Sequence, residues 1–164
     1  MDPSTGGPAM TAWLEHRPAA ALQAASPATL DKLAQVQRAM LTVEQTTLTT
    51  EHILHGGMYA RTIRLEPGVV MIGSLIKRPT LLIFHGSGSV LAGDDRVDLA
   101  GYYVLPGRAG RKQLFVTGGP VEMTMVYATQ ATTIEEAEDE VFAEAELLQS
   151  RKDYSRDTIT ITGE

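Results

Sequence analysis

At 164 residues the chain has the length of one ordinary domain with extensions, enough to close a hydrophobic core without covalent staples. It contains no cysteine, which excludes a disulfide framework, a thiolate zinc site and a cysteine nucleophile and fits a reducing compartment, the cytoplasm by default. The formal charge of -6 is local: Glu135, Glu136, Glu138, Asp139, Glu140, Glu144 and Glu146 fall in a stretch without a base, the rest of the chain is nearly neutral, and general nucleic-acid binding is not expected.

Residues 1–25 are rich in Pro, Gly and Ala, with Trp13 and Leu14 the bulky pair, and read as an arm. No positively charged n-region precedes an apolar run, and no stretch reaches the roughly 18 to 20 apolar residues of a membrane helix, so a soluble protein without a signal peptide is expected. Ser26 is a natural N-cap and Pro27 a first helical residue. Leu30, Leu33, Val36 or Gln37, and Met40 then recur at helical spacing, which predicts a helix over about 27–41 and an extended linker to residue 50.

Residues 51–130 repeat one theme. Runs rich in Val, Ile, Leu, Tyr and Thr, namely "MYARTIRL", "VVMIGSLI", "TLLIFH", "SVLAG", "RVDLA", "YYVLP", "KQLFVT" and "VEMTMVYA", alternate with "EPG", "KRP", "GSG", "GDD", "PGRAG" and "GGP". The runs read as strands and the separators as turns, so the architecture is mainly β, a sandwich or barrel. Within 131–152, Thr133 and Glu136 have capping-box spacing, and Ile134, Ala137, Val141, Ala145 and Leu148 form one apolar stripe. An acidic amphipathic helix is predicted, its charged face in solvent and its apolar face on the barrel. The final segment, 153–164, contains the alternating "DTITITGE", suited to add to an exposed sheet edge in this subunit or a neighbour.

The run "LEPGVVMIGSLIKRPTLLIFHGSGSV" followed by "GYYVLPGRAG" resembles the cupin superfamily. More narrowly, "YARTIRLEPG", "GYYVLPGRAGRKQ" and "MTMVYATQATTIEEAEDE" look like the short cupin-like proteins of tailed phages and prophages. The resemblance covers roughly Glu51 to Ser150 and implies a double-stranded β-helix barrel, or jelly roll, flanked by N-terminal and C-terminal helices. Cupins that do chemistry place two histidines and a carboxylate in a first motif and another histidine after a Pro-x-Gly turn in a second. With Gly86 closing the first motif, the ligand positions fall on Gly73, Ser74, Leu75 or Ile76 and near Pro79 or Thr80. Five residues after Pro106 stands Arg111. A guanidinium has no lone pair to give a metal, so the resemblance carries the expectation of no metal, no cofactor and a non-enzymatic role.

The candidate ligand-binding residues are therefore cationic: Arg61, Lys77, Arg108, Arg111 and Lys112, joined by His85 if it lines the barrel rather than ending its strand in a turn. Alternation puts Arg61 and Arg64 on opposite faces. A desolvated arginine needs either a carboxylate such as Glu66, Asp95 or Asp98 or an anionic ligand. His52 and His55 with Glu51 could make a partial metal site at a rim, and with His85 they are the metal candidates, but surface or structural roles are expected for them. "GSGS" reads as a hairpin turn, and "PGRAGRKQ" lacks phosphate-loop spacing. The expected partners are a small anionic molecule or another protein, together with further copies of the chain joined through edges and tails. Alternatives are a virion or assembly protein and a metal-dependent cupin enzyme.

Overall fold

The computed structural model describes residues 21 to 163, so most of the arm read over 1–25 lies outside the described residues. Helix α1 spans Pro27–Met40 as expected, with Ser26 Oγ accepting from the Thr29 amide at 3.2 Å. Asp94 accepts from the Ser26 hydroxyl at 2.8 Å and also from Thr29, tying this cap to a distant turn. Of the helical stripe only Leu33 is fully buried. Residues 44 to 49 have no regular secondary structure and lead into the sheet.

The strands are β1 (Thr50–His55), β2 (Met58–Leu65), β3 (Val70–Ile72), β4 (Thr80–Ala92), β5 (Asp95–Gly107), β6 (Leu114–Ala128) and β7 (Thr158–Ile161). Their order is β5-β4-β6-β2-β1-β7, with β3 also on β6. All pairs are antiparallel except β7 on β1. The protein is mainly β, a jelly roll with flanking helices. Inward residues of the long strands make the core: Tyr59, Ile63 and Leu65 from β2, Leu82 and Phe84 from β4, and Phe115, Met123, Met125 and Tyr127 from β6.

Three readings of the strand region are corrected. "TLLIFH" and "SVLAG" are one strand, β4, and "GSG" lies inside it. At this point the pairing with β6 shifts register between Gly86 and Gly88. Gly86 has φ 139°, and a Cβ on it would lie 2.3 Å from the Pro120 carbonyl oxygen. The glycines thus mark a corner where two backbones meet rather than a chain reversal. "GGP" is likewise internal to β6, and "RVDLA" continues into "YYVLP" as β5. The reversal between β4 and β5 is at Gly93 and Asp94, within the predicted "GDD".

After β6 the capping box forms as predicted and opens α2, Ile134–Val141. The single helix expected across 131–152 does not persist. Phe142 bridges to Ile76, the Ala143 amide donates to the Leu75 carbonyl at 2.9 Å, and the Lys77 amide donates to the Val141 carbonyl at 2.7 Å. This pairing with the segment before β4 replaces helical hydrogen bonds, so the stripe continues only through a 3-10 turn (Ala145–Leu147) and the short α3 (Gln149–Lys152). Strand β7 joins the edge of its own subunit. Asp157 anchors it by accepting from the Thr50 amide at 3.0 Å. Among the described residues no helix is long and apolar enough to cross a membrane.

Candidate functional site

The basic residues singled out from the sequence do not converge on one open pocket; most are met by the acidic segment. Arg61, on the inner face of β2, places Nε 3.6 Å from Glu138 Oε1 and Nη2 3.3 Å from Ser150 Oγ, with its guanidinium 5.7 Å from the Phe142 ring centroid. Lys77 Nζ donates to the Asp139 carbonyl at 2.6 Å. Lys112, almost fully buried, pairs with Glu144 at 2.6 Å, and Arg78 with Glu140 at 2.6 Å. Glu138 is fully buried and also accepts from Arg151 at 2.9 Å, Ser150 at 3.2 Å and Tyr154 at 3.3 Å. The run expected as a solvated face is thus in large part the counter-charge of the barrel's cations. Burying Glu138 is tolerable because each carboxylate oxygen is hydrogen-bonded and cations flank it. Of the carboxylates expected to pair, Asp98 meets Arg96 at 3.0 Å on an exposed hairpin.

Arg111 has a different environment. It is 1% exposed and its Nη2 donates to Thr80 Oγ1 at 2.5 Å, its Nη1 to the Arg108 carbonyl at 3.0 Å, while Nε has no hydrogen-bond partner among the described residues. The guanidinium lies flat against Gly107, where a Cβ would fall 2.4 Å from Cζ. Burial pushes its pKa down to about 10. Thr80 and Arg111 are two positions at which the cupin resemblance would place metal ligands, and here they bond to each other. The neighbouring interior is Leu82, Met125 and Leu105, all buried and apolar. A hydroxyl, a guanidinium and a thioether do not make a donor set for iron, manganese, nickel or zinc. The residues present do not fit a cupin metal. Arg108 is exposed and contributes its carbonyl to Arg111.

The histidines are dispersed. His85 does not line the barrel or end β4; it points outward in mid-strand, edge-on to Tyr102 with ring centroids 6.4 Å apart. His55 is exposed beside Thr162. His52 faces the opposite side of β1 and is fully buried, so the rim site imagined from Glu51, His52 and His55 is divided by the alternation of the strand. His52 Nε2 lies 3.1 Å from Asp157 Oδ2 and Nδ1 2.6 Å from the Tyr59 hydroxyl. With Asp157 ionised, Nε2–H donates to it and Nδ1 accepts from Tyr59, an assignment inferred from the partners. Desolvation lowers the His52 pKa below 6.5, against the opposing pull of Asp157, and burial raises that of Tyr59. Sequence reasoning missed the cluster of Tyr59, Glu138, Tyr154 and Asp157 around His52. The alternation of Thr50, His52 and Leu54 did carry the inward direction of the imidazole.

One of the cavities among the described residues lies beside β2 and β3. It has a volume of about 310 Å³ and is walled by Arg61 and Ile63 of β2, Met71 of β3, Leu48 of the segment before β1, Phe142 and Leu148. Arg61 Nε is buried and without a hydrogen-bond partner among the described residues. The site therefore combines apolar residues with two cations, Arg61 and Lys152, and two carboxylates, Glu44 and Glu144, and among these Arg61 has an incompletely bonded Nε.

No family model matches this chain, and no curated protein does. Similar solved structures include cupins. A cupin superfamily protein from Desulfitobacterium hafniense shares 14% identity over 54% of this chain and 83% of its own, with a TM-score of 0.44. An RmlC-like cupin with a double-stranded β-helix fold from Methanocaldococcus jannaschii shares 16% over 52% and 84%, with 0.43. Ectoine synthase from P. lautus shares 14% over 60% and 76%, with 0.46. The strand order and registers carry the jelly-roll assignment, and nothing about ligand or activity follows from these likenesses.

Proposed function

We propose that this chain is a non-enzymatic cupin-like accessory protein, of the type encoded by phages and prophages, that binds a small anionic ligand in the cavity beside β2 and β3. The observation supporting this most directly is the cavity of about 310 Å³ whose wall holds Arg61, its buried Nε 3.6 Å from Glu138 but without a hydrogen bond among the described residues. An N–H of a desolvated guanidinium is a strong donor, and a carboxylate or phosphate oxygen is its best complement. The apolar residues of the same lining, Leu48, Ile63, Met71 and Leu148, suit a ligand with a hydrocarbon or ring body behind that anionic head. The phage and prophage assignment rests on the sequence resemblance, and a host cytoplasm or virion location goes with it.

Of the six residues first read as ligand-binding, Arg61 keeps this role. Lys77 and Lys112 are engaged with the acidic segment, Arg111 belongs to the core, and Arg108 and His85 lie on other surfaces. The test is native mass spectrometry of the freshly purified protein for a co-purified molecule, followed by thermal melting with carboxylates, sugar phosphates and nucleotides. Binding at a hundred times the dissociation constant raises stability by about 2.7 kcal/mol. Arg61→Lys, which keeps a cation but loses the planar fork, should weaken the shift, and Met71→Trp, which fills the cavity, should remove it. If the whole panel leaves melting unchanged and nothing co-purifies, the reading fails.

A further inference from the structure

On the outer face of the sheet, Met58, Leu81, Pro106, Val126 and Ala128 line an apolar groove of about 710 Å³. The registers set them side by side across four strands, Leu81 between Pro106 and Val126, and Met58 opposite Ala128. Met58 is 50% exposed and Leu81 48%, whereas an antiparallel sheet with a solvated outer face carries polar residues there. None of the groove's residues lines the cavity proposed for the anionic ligand. The chain itself arrives at this groove. Leu22 is buried and joins β5 as a parallel bridge, its amide donating to the Pro106 carbonyl at 2.7 Å and its carbonyl accepting from the Arg108 amide at 2.9 Å. Strand alternation turns Ala21 to the outer face, where it lines the groove.

We infer that the N-terminal segment of this same chain, through Trp13 and Leu14, occupies the groove. Position is the first argument. Residues 1–20 lead into Ala21, so they are delivered to this face, and a tethered occupant needs far less intrinsic affinity than a free one. Reach is the second. Trp13 stands eight positions before Ala21, a span of up to about 26 Å when extended, and the groove crosses three strand spacings from β5 to β2, about 14 Å. Chemistry is the third. Trp13 and Leu14 are the bulky apolar pair in a stretch rich in Pro, Gly and Ala, and a packed indole buries about 150–250 Å² of its own surface. Glu15, next in the chain, brings a carboxylate toward Arg108, which borders the groove, exposed and in no ion pair among the described residues.

Fluorescence of the full chain, with tryptophan excited selectively, tests the inference. Trp13 is the single tryptophan, so the emission reports its surroundings alone. The folded protein should emit at shorter wavelength than the urea-unfolded chain, and the shift should survive hundredfold dilution. Met58→Glu with Leu81→Glu, both at exposed positions, should move the emission to that of the unfolded chain while far-ultraviolet circular dichroism stays unchanged. If that pair does not fold, Leu81→Ser alone should move the emission in the same direction and raise quenching by acrylamide. Folded wild type emitting at the unfolded wavelength overturns the inference. So does a blue shift lost on dilution, which puts Trp13 on another copy, or one that the folded Leu81 variants leave unchanged, which puts it elsewhere on its own barrel.

Discussion

Replacing Arg111 by methionine should be far less damaging than replacing it by alanine. The guanidinium is buried, donates to Thr80 Oγ1 and the Arg108 carbonyl, and has no carboxylate partner among the described residues. Its pKa falls to about 10 through burial, which corresponds to a penalty on the charged form of the order of 3 kcal/mol. Methionine removes that penalty and fills much of the space, but it forfeits two charge-assisted hydrogen bonds of about 1.5–3 kcal/mol each. The terms partly offset, and Arg111→Met should lie within about 3 kcal/mol of the wild type. Arg111→Ala loses the same bonds and leaves a cavity, a class of change that costs about 2–5 kcal/mol, so the two variants should differ by at least about 2 kcal/mol. Urea unfolding followed by fluorescence and circular dichroism, with constant m, measures both. Gly107→Ala supplies the coupling: its Cβ would overlap the guanidinium at 2.4 Å, so its cost should fall by more than half in the Arg111→Ala background. Equal losses for methionine and alanine would refute the reasoning, because the charge itself would then be what holds the turn.

Other consequences are as direct. The His52 pKa is depressed in the folded protein, so the unfolded chain takes up the proton first as pH falls; stability should be full above about pH 6.5 and decline below it, and melting temperatures from pH 8 to 5 should show a shallower decline in His52→Gln. A profile that is flat or rises toward acid would contradict the buried neutral imidazole. Glu138→Leu leaves Arg61 and Arg151 without their shared counter-charge and should cost about 3–5 kcal/mol in urea unfolding; a loss under 1 kcal/mol would mean that the cations find water. Gly86→Ala forces a Cβ to within 2.3 Å of the Pro120 carbonyl oxygen and should reduce stability by about 3 kcal/mol or more, whereas Gly68→Ala, with a positive φ but nothing within 4 Å, should cost less.

The legible parts of the fold were those written within a few residues. Ser26 and Pro27 open α1, Thr133 and Glu136 open α2, and strand periodicity marks the mainly β body. The same local signals misled where a distant partner changed their meaning. Glycines that end a strand in solvent and glycines that let β4 turn a corner against β6 have the same sequence signature, and only the approach of Pro120 distinguishes them. The stripe from Ile134 to Leu148 is helical in pattern, yet the helix stops at Val141 because residues 75–77 offer Ala143 and Val141 backbone partners.

The candidate site shows the same division. The sequence by itself determined that an arginine, not a histidine, follows the Pro-Gly turn, that Arg61 and Arg64 face opposite ways, and that the chain's acids are concentrated in one segment. Only the tertiary structure decided that this segment neutralises Lys112, Arg78 and Arg61, that Asp157 reaches His52 across 105 positions, and that Arg111 bonds Thr80 inside the barrel. The reason is physical. Caps and alternation are set by hydrogen bonds and side-chain directions within one or two turns of chain, whereas the partner of a charge depends on which elements pack together, a choice made by the burial of the whole apolar core.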